Sequence, residues 1–150
     1  LGSTVAFLGD VVFAARSATF ADTHVRMGIA AGDGGQVIWP LLMGVNRAKY
    51  YLMTGERIPA EEAERLGLVN FVVEDDALMD RALELADRLA AGPGVAISAS
   101  KVGVNQLIKM VSNLVLPLSL NLEERTMATE DFREAVMAFA EKREPEYKGR

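Results

Sequence analysis

The run Val11-Val12-Phe13-Ala14-Ala15 carries no polar residue to mark a wet face, and it is built from β-branched, aromatic and small apolar side chains. A run of that kind belongs to strands buried on both faces. Ala18-Thr19-Phe20-Ala21 reads as a second short strand and Phe71-Val72-Val73 as another, while the stretches between and after them have helical spacing. Gly2 to Gly9 reads as a short apolar helix, with Gly2, Ser3 and Thr4 available to cap its first N–H groups. Val37, Ile38, Leu41 and Leu42 recur at three and four after Gly35, a second helix covers about 46–53, and Pro59 with Glu61, Glu62 and Glu64 opens a third. Asp75 and Asp76 cap an amphipathic helix carrying Leu78, Ala82, Leu85, Ala86 and Leu89. Beyond Gly92-Pro93-Gly94 the spacing predicts three helices, at about 95–109, 112–126 and 129–143. The fold class is therefore α/β, with a mixed core over 1–92 and a helical subdomain over 93–150.

Composition narrows the function. The chain has 150 residues, half of them hydrophobic, which suits one globular domain with a real core. A net charge of -5 leaves no basic surface for nucleic acid. With no Cys, thiolate chemistry, disulfides and Cys-based metal sites are excluded, and a reducing cytoplasm is the expected setting. No apolar run approaches the roughly 18 to 20 residues that span a bilayer, so no membrane partner is expected. Leu1-Gly2-Ser3-Thr4 lacks the basic lead of a signal peptide and reads as a cut through a domain.

His24, the only histidine, follows a buried strand in Asp22-Thr23-His24-Val25 and has the pKa of a natural base. A lone imidazole is also a common structural residue. Asp33 lies in Gly32-Asp33-Gly34-Gly35, where it has a plain reading as the N-cap of the following helix and a functional one as the carboxylate that orients or charges His24. The glycines match neither the phosphate-loop nor the dinucleotide fingerprint, there is no Gly-x-Ser-x-Gly elbow, and no spacing of ligands suggests a metal.

Taken in order, Ala18-Thr19-Phe20, Gly28-Ile29, Gly32-Asp33-Gly34-Gly35, Trp39-Pro40, Thr54-Gly55, Ala60 to Asn70, Leu89 to Pro93 and Glu130 to Pro145 resemble the crotonase (enoyl-CoA hydratase/isomerase) superfamily over essentially the whole chain, as its C-terminal portion. The resemblance implies a ββα spiral core, an acyl-CoA substrate, no cofactor beyond the coenzyme A of that substrate, and a homotrimer or dimer of trimers. It also implies an oxyanion hole whose backbone N–H groups include the Leu1-Gly2 region, the other N–H and much of the CoA adenine pocket coming from the N-terminal portion. An acyl pocket lined by Thr4, Trp39 and Met43 and a CoA phosphate contact from Lys142 are expected on the same ground. Hydratases of the family carry two catalytic glutamates; here Thr4 and His24 stand at those positions. His24 with Asp33 is similar to the family's β-diketone hydrolases of the 6-oxocamphor hydrolase type. Three readings follow: a hydratase/isomerase using His24 and Asp33, a hydrolase of C–C bonds in β-diketones, and an inactive paralogue that serves as a binding subunit.

Overall fold

The computed structural model describes all 150 residues. The apolar run forms β1 (Phe13–Ala15), shorter than the five residues expected, and β1 pairs in parallel with β4 (Phe71–Val73) in the register Phe13 to Phe71, Ala14 to Val72 and Ala15 to Val73. Parallel pairing demands a long crossover. The intervening chain supplies it as β2 (Thr19–Phe20), a single 3₁₀ turn (His24–Met27), α2 (Gly35–Met43), α3 (Val45–Thr54), β3 (Ile58–Pro59) and α4 (Ala60–Leu66). β2 and β3 form a small antiparallel pair, so Pro59, expected only to open α4, also ends a strand.

The core lies where this crossover folds on itself. Trp39, Ala48, Ile58, Ala60 and Ala63 are wholly buried, with Ile38, Leu68 and Val69 beside them. α1 (Gly2–Phe7) joins through Phe7, whose ring meets Trp39 edge-on at 5.5 Å and Phe20 at 5.1 Å. Ser3 does not cap α1; its hydroxyl donates to Ala21 O at 3.2 Å and ties the helix to the segment before His24.

Two expectations about the helices are corrected. Asp75 and Asp76 form a 3₁₀ turn, and α5 (Leu78–Ala90) begins after it without a side-chain cap; Asp75 instead accepts the Ser17 N–H at 3.0 Å. Residues 95–109 and 112–126 are not two helices but one, α6 (Gly94–Met127). Met110-Val111-Ser112 contains no breaker, and the helix continues through both Gly103 and Pro117.

The carboxyl-terminal part of α6 folds back over the segment before α2. Ser119, fully buried, donates its hydroxyl to Gln36 Oε1 at 3.1 Å, and Thr126 Oγ1 accepts the Ala30 N–H at 3.0 Å. Between them, Gly32 is the point of closest approach: a Cβ there would stand 2.4 Å from Glu123 Cβ and 2.5 Å from Ser119 O. α7 (Glu130–Glu141) starts from Thr129, whose hydroxyl oxygen accepts the Phe132 N–H at 3.2 Å. The tail then returns to the His24 turn, where Tyr147 Oη donates to Arg26 O at 2.6 Å and Asp131 receives the Lys148 and Gly149 N–H groups.

Gly32→Ala is expected to lower stability by about 1–3 kcal/mol, because the added methyl forces α6 off the loop. Trp39→Ala is expected to cost about 3–5 kcal/mol by leaving a core cavity. Chemical denaturation of both variants checks the two values.

Candidate active site

His24 stands on the 3₁₀ turn that follows β2, a turn closed by Gly28 in the left-handed region at φ +66°. That conformation suits a residue without Cβ, and the space agrees, since a Cβ at Gly28 would meet the Asp131 backbone at 3.1 Å. The imidazole is mostly withdrawn from solvent, with 17% of its side chain exposed.

Three carboxylates surround it. Asp22 Oδ1 lies 2.6 Å from His24 Nδ1 and also accepts the His24 backbone N–H at 3.3 Å. On the opposite edge, Asp33 Oδ2 is 3.6 Å and Glu123 Oε1 is 3.9 Å from Nε2. The orienting role expected of Asp33 therefore belongs to Asp22, which is buried and close enough for a strong charge-assisted bond. Asp33 faces the other nitrogen at a distance beyond direct hydrogen bonding. Nor is Asp33 the N-cap of α2: that position is Gly34, at φ +114°, and no side chain caps the helix. Asp33 Oδ1 is buried without a partner, so the carboxylate retains acceptor capacity beside His24.

The Asp22 hydrogen bond is the main cause that raises the His24 pKa above its ordinary value of 6.5; burial opposes it, and the charges of Asp22 and Asp33 reinforce it. The protonated ring is thus stabilised by folding. That contribution is full at pH below the unfolded value and fades as pH rises through the raised folded value.

The start of α1 reaches the same place, since the Leu1 nitrogen is 3.3 Å from Asp33 Oδ2. Gly2 opens the helix, and the first N–H groups of any helix have no partner within it. The sequence-derived oxyanion position at Leu1 and Gly2 is therefore brought next to Asp33.

The expected acyl-pocket residues are corrected. Trp39 has no exposed surface and belongs to the core with Phe7, and Met43 is buried in the same cluster. Thr4 is buried under the Gly34 backbone, where a Cβ would lie 3.0 Å from its methyl, so it supports the loop from below. Trp39 and Met43 have the apolar helical spacing of core residues, and packing takes them. Lys142 is exposed at the C-cap of α7, while Arg143 is occupied by Glu134 and Glu141.

Asp22 and Glu123 are site residues that sequence reasoning missed. Asp22 had a readable signal, because an Asp two residues before a His in a loop commonly accepts that residue's backbone N–H. Glu123 had none: it lies 99 residues from His24 and is one of two adjacent acids on a long helix.

The enoyl-CoA hydratase/isomerase family model matches residues 2–150. The chain belongs to that family. It is 35% identical over 145 residues to a short-chain-enoyl-CoA hydratase of Clostridium acetobutylicum, covering 97% of this chain and 56% of the relative. Among solved structures, a carnitinyl-CoA hydratase from Mycobacterium avium superposes with a TM-score of 0.91 at 32% identity, covering 99% of this chain and 58% of that one. A β-diketone hydrolase from the cyanobacterium Anabaena superposes with a TM-score of 0.79 at 34% identity, covering 84% and 51%. The crotonase-type fold read from the sequence is confirmed, and the chain spans little more than half the length of these relatives. No helix is long and apolar enough to cross a membrane.

The unfolding free energy is expected to fall as pH rises from about 6 to about 9 more steeply in the native protein than in His24→Gln, which lacks the titrating ring. Urea titrations at a series of pH values check the sign.

Proposed function

We propose that the protein containing this chain is an enoyl-CoA hydratase/isomerase-type enzyme that binds an acyl-CoA and uses His24 as its acid–base group. The observation that carries this reading is the imidazole held between Asp22 on Nδ1 and the Asp33 and Glu123 carboxylates on the Nε2 side. With Nδ1 tied to Asp22, Nε2 is the nitrogen free to exchange a proton with substrate or water. Asp33 and Glu123 are placed to accept a hydrogen bond from a water that attacks an activated double bond. The free N–H groups at the start of α1 receive the thioester oxygen as negative charge develops on it. One His and two carboxylates thus replace the pair of glutamates that the family's hydratases use.

A second reading is C–C hydrolysis of a β-diketone, supported by the His24–Asp33 juxtaposition and by the likeness to the Anabaena hydrolase. It employs the same groups, with water adding to a ketone instead of an alkene. A retained acid–base cluster speaks against a binding-only paralogue. The assembly we propose is a homotrimer or dimer of trimers, supported by the exposed apolar side chains of Val136, Met137 and Phe139 on α7.

Turnover of crotonyl-CoA by the full-length protein, with no cleavage of a cyclic 1,3-diketone, is the expected result; the reverse pattern establishes the second reading. His24→Ala is expected to lower kcat by about 10²- to 10⁴-fold while leaving the unfolding transition cooperative. Full activity in that variant would falsify both readings.

A further inference from the structure

Asp22 faces two neighbours, and only one of them is His24. Its second oxygen, Oδ2, lies at the first residue of α2: a Cβ built on Gly35 would stand 2.6 Å from it. That separation is well inside van der Waals contact, so the carboxylate fills the volume that any side chain at position 35 needs. Gly35 is not in the left-handed region, and its backbone conformation is open to alanine. Crowding by Asp22, and not chain geometry, is therefore the largest obstacle to a side chain at this position. Of the remaining neighbours of that Cβ, Ala31 Cβ at 3.2 Å is a tight contact that must give by a few tenths of an ångström, and Leu52 Cδ2 at 3.5 Å is in ordinary van der Waals contact.

We propose that Gly35 is a positioning residue that works through Asp22: by leaving room at the amino terminus of α2, it seats the Asp22 carboxylate where it grips His24 Nδ1 and fixes the direction in which Nε2 points. Asp22 in turn holds the imidazole by side chain and backbone together. The other charged groups facing His24 come from different elements: Asp33 from the loop before α2 and Glu123 from α6. None of them touches Nδ1, so the seat of Asp22 alone decides the orientation of that edge. The consequence for turnover rests on the proposed role of His24; the positional claim does not.

The test is made on the full-length protein carrying ¹⁵N-histidine, with the His24 signal assigned by its loss in His24→Ala. Asp22→Asn and Gly35→Ala are each expected to move the His24 titration midpoint downward and to change the balance of its two neutral tautomers. Gly94→Ala, at an open helix start with nothing within 4 Å, is expected to leave both unchanged. In the Asp22→Ala background, adding Gly35→Ala is expected to have no further effect on the midpoint, because the glycine acts only through the carboxylate. Gly35→Ala is also expected to lower kcat about tenfold or more and to displace the pH profile in the same direction. A folded Gly35→Ala protein with native His24 titration overturns the proposal, as does an independent effect in the Asp22→Ala background. Should Gly35→Ala fail to fold, Asp22→Ala/Gly35→Ala removes the clash: recovery of folding supports the proposal, and continued failure overturns it. The titration is read without substrate, so a wrong assignment of the reaction leaves this outcome intact.

Discussion

The seating of α6 on Gly32 is the contact from which the rest of the site follows. Without a side chain at that residue, the helix backbone and Glu123 lie directly on the loop that carries Asp33, and Ser119 and Thr126 lock the register one turn to either side. A methyl group in that position would separate the two halves of the cluster. The close approach is therefore both packing and chemistry: it buries loop backbone, and it delivers a third carboxylate to the ring of His24.

Three acids around one imidazole give the site an unusual balance. A neutral ring would leave the carboxylates to repel each other, whereas an imidazolium attracts all of them. The tight bond to Asp22 tilts His24 toward its charged form, and burial works the other way. The outcome is a ring that is easily protonated on one edge and available on the other. Under the proposed function the proton sits on nitrogen and the carboxylates act as acceptors.

The α/β class was legible because β1 is apolar throughout and the helices after it repeat at three and four. The family was legible from motifs strung along the whole chain, and the matched family model spans residues 2–150. The identity of the His24 partner was not. Asp33 drew attention through its glycine-rich setting, but the glycines serve other needs: Gly32 admits α6, Gly34 takes a positive φ, and Gly35 clears space for Asp22. Trp39 and Met43 were misplaced for a related reason, since an apolar residue at helical spacing looks the same whether it faces a ligand or a core.

By itself the sequence determined the kinds of chemistry available: no thiol, a single imidazole, several acids nearby, and a short helix ahead of the first strand. Those follow from residue type and local pattern. Only the tertiary structure decided which acid binds which nitrogen and that residue 123 belongs beside residue 24. Hydrogen-bond partners across that separation depend on how α6 packs over the loop before α2, and local spacing carries no record of a contact made by two surfaces that meet only on folding.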